Sequence, residues 1–442
     1  MAIDQQSGTG PVPGREHRPE QQTRRRAWLV LSLLFLLLVV NYADKVIVGL
    51  AGVDMMKEIG IGADEFGVIQ SSFFWLFAIG AILGGWLGGK VKARWLLAGI
   101  AALWAVSMAP MVGQVGFTTV VVCRVLLGFA EGPTTALVMH VTHTWFPPDK
   151  RAVPSSLVAS GAAIGPVIAA PALTWVITQH SWHAAFGVMS VVGVIIVILW
   201  LIVGREGPES ASDTKGTGAA EPVSRLPERV PLLKLFGTGT FIGFQLLFFV
   251  AYMLTATVVS WLPLYLRDGH GYDATTTGNL VALLFLGTAI AAIASGFASS
   301  AMTKRGMSNR ASRGYLAGAM VLLAGIGTVS FPALDRGVMH MVLITLAACA
   351  SAAGYGVSFT GLSDIVPAKQ RGTVFGVVTG VYSLGGIVAP ILMGALVESA
   401  DTPLAGYKQG FIAIGAAIAV GAAIATLLIN PERDGAKLAA TS

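Results

Sequence analysis

Twelve apolar stretches dominate the chain, each close to the roughly twenty residues that a helix needs to cross about 30 Å of hydrocarbon. They cover roughly 27–52, 66–89, 94–114, 116–145, 153–178, 182–204, 237–266, 276–302, 312–332, 338–362, 371–398 and 406–430. In hydrocarbon each backbone N–H and C=O must be satisfied within its own segment, which restricts such runs to helices. The expected fold is an all-α polytopic membrane protein with twelve spanning helices. Composition agrees, with 54% hydrophobic and only 12% charged residues, where a soluble domain carries about a quarter charged.

Between the sixth and seventh runs the composition changes. REGPESASDTKGTGAAEPVSRLPERVP, Arg205 to Pro231, is polar with Pro and Gly and reads as a flexible linker. The chain divides into a tail (1–26), a six-helix bundle (27–204), a linker (205–236), a second six-helix bundle (237–430) and a tail (431–442). Some 26 polar residues precede the first run, so it is expected to be a retained helix and not a cleaved signal. The formal charge of +6 could suggest nucleic acid, but the bases sit in short loops. Only Lys57, Arg267, Arg336 and Lys408 fall outside the tails, the linker and the even-to-odd loops, apart from two bases inside spans. By the positive-inside rule both termini face the cytoplasm of a plasma (inner) membrane protein. Cys123 and Cys349 lie in apolar runs and support no disulfide framework.

Four ionisable residues interrupt the first half: Asp44, Lys45, Arg124 and Glu131, with formal charges that sum to zero. Each costs about 2.5–3.5 kcal/mol on insertion scales and marks function by default. With helix 1 ending near residue 52 and helix 4 starting near 116, a rise of about 1.5 Å per residue puts Asp44 and Arg124 at one depth, about 12 Å in. They are expected to pair. Glu131, seven residues on, lies about 10 Å deeper on nearly the same face. Lys45, rotated about 100° from Asp44, points elsewhere, free for an anion's carboxylate. An unpaired carboxyl such as Glu131 suits a proton carrier.

NYADK (Asn41, Tyr42, Asp44, Lys45) and RVLLGFAEGP (Arg124, Gly128, Glu131, Gly132, Pro133) resemble the first- and fourth-helix motifs of the anion:cation symporter family within the major facilitator superfamily. WFPPDKR (145–151), WLPLYL (261–266) and GGIVAP (385–390) are similar to further stretches of that family, and the resemblance spans roughly 27–430. It implies two six-helix bundles and a secondary transporter that imports an organic anion, a sugar acid or aromatic acid, with protons by alternating access. It also implies that Asp44 and Glu131 couple protons, that Arg124 partners Asp44, and that Lys45 meets the substrate carboxylate with Tyr42 beside it. The same fold serves proton-driven exporters of drugs or metabolites, which is the alternative.

Departures bear on the substrate. Phe77 and Ala81 stand where relatives carry Tyr and Gln, and Thr379 and Ser383 where Asn is frequent; Gly89 and Ser300 replace the Asp of two cytoplasmic latches. Fewer donors satisfy a sugar acid's hydroxyls less well, which tilts the expectation towards a less hydroxylated carboxylate. Gln70, Gln245, Tyr355, Tyr382 and Ser383 are the polar groups that could compensate, with Tyr252 and Ser358. GAILGGWLGG (80–89) has G-x-x-x-G spacing and predicts close helix packing. His180 and His183 belong at the outer boundary, and no acidic or Cys residue stands at metal-ligand spacing from His140 and His143. The chain has no catalytic motif, so no enzyme, metal or cofactor is expected. The expected partners are protons, a small organic anion and the lipid bilayer, with no nucleic acid; the expected state is a monomer.

Overall fold

The computed structural model describes residues 17–88, 90–147, 150–207, 229–367 and 370–440. Gly89, Asp149, Lys369, most of the N-terminal tail and linker residues 208–228 lie outside them. The described residues form helices of three kinds and no strand. Twelve are long and apolar enough to cross a membrane: span 1 (Arg25–Ile59), span 2 (Ala63–Gly88), span 3 (Ala93–Val112), span 4 (Phe117–Trp145), span 5 (Val153–Gln179), span 6 (Trp182–Val203), span 7 (Gly239–Gly269), span 8 (Ala274–Lys304), span 9 (Arg310–Ala333), span 10 (Val338–Ser363), span 11 (Arg371–Glu398) and span 12 (Pro403–Leu428). The first and last described residues fall on one face of the bundle, here the terminal face; the other is the far face.

Three of the described spans are broken, two of them where the sequence removes helix support. In span 4 the break follows Glu131, at Gly132 and Pro133, and proline has no N–H to donate. Span 11 breaks at Leu384, before Gly385 and Gly386. Span 2 breaks at Leu76. Spans 2 and 4 cross backbone to backbone. A Cβ on Gly128 would lie 1.7 Å from the Phe73 carbonyl oxygen, and one on Gly80 would lie 2.1 Å from that of Phe129. The predicted small-residue packing of the Gly80 stretch is therefore present, with Gly84 against Pro133. Gly128→Ala is expected to abolish correct assembly, because backbone and not a flexible side chain must yield. Fluorescence-detected size exclusion should show loss of the monodisperse peak, whereas the exposed Gly99→Ala should leave it unchanged.

Span 1 runs to Ile59 and not to residue 52. Its last turns are polar, yet each acid there finds a partner. Asp54 accepts from Arg267 at the end of span 7 (2.8 and 3.4 Å), and Arg267 also reaches the Leu50 carbonyl (3.3 Å). Glu58 accepts from Trp182 (2.7 Å) and holds His183 Nε2 (2.7 Å), whose Nδ1 meets the Met111 carbonyl. His183 is thus fixed at the far boundary, between the start of span 6 and the end of span 1.

The halves are clamped at the far face. Residues Ala63–Trp75 of span 2 pack on Gly385–Glu398 of span 11 more extensively than Phe77–Gly88 pack on Arg371–Ser383. Across that seam the Ala63 N–H donates to Glu398 Oε2 at 2.8 Å. The Asp54–Arg267 pair is half-exposed and worth about 1 kcal/mol. Asp54→Asn is therefore expected to favour the far-open state by about fivefold. The check is maleimide labelling of a cysteine at Ala63, with Cys123 and Cys349 replaced by serine. Unchanged labelling would mean the pair carries none of the clamp.

The linker ends are fastened to opposite halves. The Trp145 indole donates to the Arg205 carbonyl and the Gly207 N–H to Thr144 Oγ1, whereas Val230 exchanges two hydrogen bonds with the Gln370 amide. Asp364 pairs with Arg313 at the terminal face.

Candidate functional site

The longer span 1 moves Asp44 inward. Asp44 lies fifteen residues before Ile59 and Glu131 fourteen residues after Phe117. Both are then about 21–22 Å below the far face, near mid-depth. The expected column is corrected accordingly. Asp44 and Arg124 form no ion pair among the described residues; the pair is Lys45–Glu131, Nζ to Oε2 at 3.0 Å. Glu131 is not the lone acid, and Lys45 does not point elsewhere. The source of the error is the seven residues of helix added beyond residue 52, about 10 Å of depth.

All four charged groups still meet. The Asp44 carboxyl stands against that of Glu131, with Lys45 and Arg124 close enough to act on it. Asp44, Arg124 and Glu131 are buried, and the Lys45 side chain keeps 21% of its surface exposed. Arg124 makes one long contact with Gln70 Oε1, 3.5 Å, and its Nε and Nη1 have no partner. Neither oxygen of Asp44 accepts a hydrogen bond. Buried charges with open hydrogen-bonding capacity are costly unless water or a ligand completes them. Aromatic faces supply part of the compensation. Lys45 Nζ lies 4.0 Å from the Tyr42 ring centre and 5.9 Å from that of Phe73, and the Arg124 guanidinium is 4.8 Å from Phe73.

Rings continue from this cluster into the second half. Phe74 meets Tyr252 edge-on at 5.7 Å, Tyr252 lies 4.8 Å from Tyr382, and Tyr355 lies 5.7 Å from Tyr382. Phe248 and Phe359 back them. Tyr355 and Thr379 both stand near enough to act on the Tyr382 hydroxyl. Of the expected site residues, Tyr42, Asp44, Lys45, Gln70, Arg124 and Glu131 thus form one cluster, and Tyr355, Thr379 and Tyr382 one wall. Ser383 does not join them; it is buried and donates to the Gly380 carbonyl of its own helix. No contact ties Gln245 to the cluster. It sits six residues into span 7, about 9 Å from the terminal face, with both amide atoms buried and unpartnered. Phe73, Phe74 and Phe248 were not singled out from sequence. The only available signal was the FFW run in span 2, which also reads as ordinary lipid-facing surface.

A family model described as Major Facilitator Superfamily matches residues 34–362 and 306–441. The chain belongs to the Major Facilitator Superfamily. Its curated relatives include a hexuronate transporter of Bacillus subtilis, 25% identical over 406 residues (88% of this chain, 93% of the relative). A D-galactonate transporter of Escherichia coli is 26% identical over 430 residues, covering 92% and 96%. Among solved structures, an inward-facing bacterial homolog of the human lysosomal transporter Spinster aligns with TM-score 0.76 at 17% identity over 93% of this chain and 98% of that one. The D-xylose–proton symporter aligns with TM-score 0.74 at 13% identity, covering 92% and 99%. The expected twelve-helix fold therefore holds. This superfamily member is a multi-pass membrane transporter, not an enzyme.

Proposed function

We propose that the protein imports an organic anion, a carboxylate such as a sugar acid, together with protons. The observation that carries this reading is the neutral cluster in which Lys45 holds Glu131 at 3.0 Å beside Asp44 and Arg124. An added carboxylate would leave one uncompensated negative charge in a low-dielectric site, which is strongly disfavoured. One proton on Glu131 or Asp44 restores neutrality and frees the Lys45 ammonium for the incoming carboxylate. Anion and proton therefore bind together or not at all.

Tyr42 flanks the ammonium, and the wall of Tyr252, Tyr355 and Tyr382 offers ring faces and hydroxyls to the body of the substrate. Because Phe248 and Phe359 pack behind these tyrosines, the wall is mostly ring surface and offers few polar groups to substrate hydroxyls. That supports a carboxylate with few hydroxyls, aromatic acids included; the names of the relatives support sugar acids. With both termini cytoplasmic, the far-face clamp and the partly exposed Lys45 suit a state that delivers the anion inward. The protein works as a monomer, with Asp44, Glu131 and Arg124 handling the proton and no cofactor.

The test is uptake by proteoliposomes under an inward proton gradient, offered labelled galactonate, glucuronate and benzoate in turn. At least one should accumulate, and collapsing the gradient should return it to equilibrium. Accumulation that ignores the gradient would overturn the reading, and accumulation driven only by an outward gradient would turn it into export.

A further inference from the structure

On the terminal face, beneath the start of span 7, a cavity of about 340 Å³ opens well away from the central cluster. Its walls are the short helix Leu232–Phe236, the turn Gly237–Gly239 and one side of the C-terminal helix Pro431–Ala439. Three bases line it, Lys234, Arg433 and Lys437, against one carboxylate, Asp434.

That carboxylate is already fully engaged. Asp434 accepts from the Thr240 N–H (2.8 Å), the Thr240 hydroxyl (2.7 Å) and the Arg433 guanidinium (2.8 and 3.1 Å). Burial pushes its carboxyl up, but the bonds from Arg433 and Thr240 outweigh burial and hold it below the usual range. Asp434 is therefore ionised at neutral pH and anchors the C-terminal helix to span 7. Arg433 is paired with it, whereas no acid among the described residues pairs with Lys234 or Lys437. The formal sum at the cavity is +2.

The helix dipole of span 7 adds partial positive charge at Gly239. Leu233, next to Lys234, is 87% exposed. A leucine left bare beside an unpaired lysine on a boundary helix suits an acyl chain running past a charged head group. Loop bases that serve only topology need no concavity; here they converge on one, at the small end of the volume range of ligand pockets.

We infer that this cavity binds a phosphate ester through Lys234 and Lys437, carried either by an anionic phospholipid head group or by a soluble phosphate compound. The inference is independent of the transport reading, because none of these residues belongs to the central cluster. Each base near an anionic head group contributes about a fivefold factor, so losing two should weaken binding on the order of twenty-fold.

The experiment is native mass spectrometry of the purified full chain titrated with dioleoylphosphatidylglycerol or dioleoylphosphatidylcholine. A parallel thermal-shift titration uses inorganic phosphate and glycerol phosphate. Lys234→Gln/Lys437→Gln is compared with Lys304→Gln/Arg305→Gln, an exposed control pair on the same face. Preferential phosphatidylglycerol adducts lost in the first variant and kept in the second support the lipid source. Stabilisation by the soluble phosphates with the same dependence supports the soluble source. If no ligand's binding depends on Lys234 and Lys437, while both variants remain monodisperse, the inference is overturned.

Discussion

Glu131→Gln is expected to exchange labelled anion across a proteoliposome membrane but to lose uphill accumulation driven by a pH gradient. The amide keeps the shape and still turns a neutral oxygen toward Lys45, and it mimics the protonated acid permanently. The anion then finds Lys45 available at any pH. With no proton to release, the variant has no means of converting the gradient into work. Wild-type accumulation under a gradient of two pH units is on the order of 100-fold for one proton per monoanion, so the expected loss is about two orders of magnitude. The pH profile of exchange should flatten as well. Full uphill uptake by this variant would remove Glu131 from the coupling path and leave Asp44 to carry it alone.

Lys45→Ala should have an effect of similar size for a different reason. It leaves Glu131 buried beside Asp44 without its ammonium, and removing one partner of a buried ion pair costs about 3–5 kcal/mol. Part of that cost falls on folding and part on substrate, whose carboxylate now meets acids with only Arg124 in support. Transport efficiency is expected to drop on the order of 100- to 1,000-fold, whereas Lys45→Arg should retain most of it. The double variant Lys45→Ala/Glu131→Gln separates the two parts. It removes both charges together, so thermal stability should recover while transport stays lost. Recovery of transport in the double variant would show that Lys45 serves only to neutralise Glu131 and has no role in binding the anion.

The fold was legible because hydropathy alone dictates helices in hydrocarbon. The identities of the central charges were legible too, since Asp44, Lys45, Arg124 and Glu131 stand out against an apolar background. Their pairing was not. It depended on where span 1 ends, and Asp54, Lys57 and Glu58 look like loop residues until Arg267, Trp182 and His183 are seen to satisfy two of them. A shift of seven residues in one helix end exchanged the predicted partners. Ser383 lies apart from the cluster because a hydroxyl in a helix can bond its own backbone, a choice that sequence does not reveal. The tyrosines of the wall stood out as polar groups, but the rings that join them to the cluster did not, because Phe is common in spans and only three dimensions bring Phe74 to Tyr252.

The pairing of Lys45 with Glu131 also bears on the return limb of the cycle. A carrier whose buried side chains cancel one another moves no net charge when it reorients unloaded. Its recovery step should therefore be blind to voltage, and any current recorded from the protein should arise wholly from the loaded crossing. Holding the membrane at different potentials should then leave the maximal inward rate unchanged for one proton per monoanion, whose loaded cluster is neutral as well, and alter it only where more protons are carried.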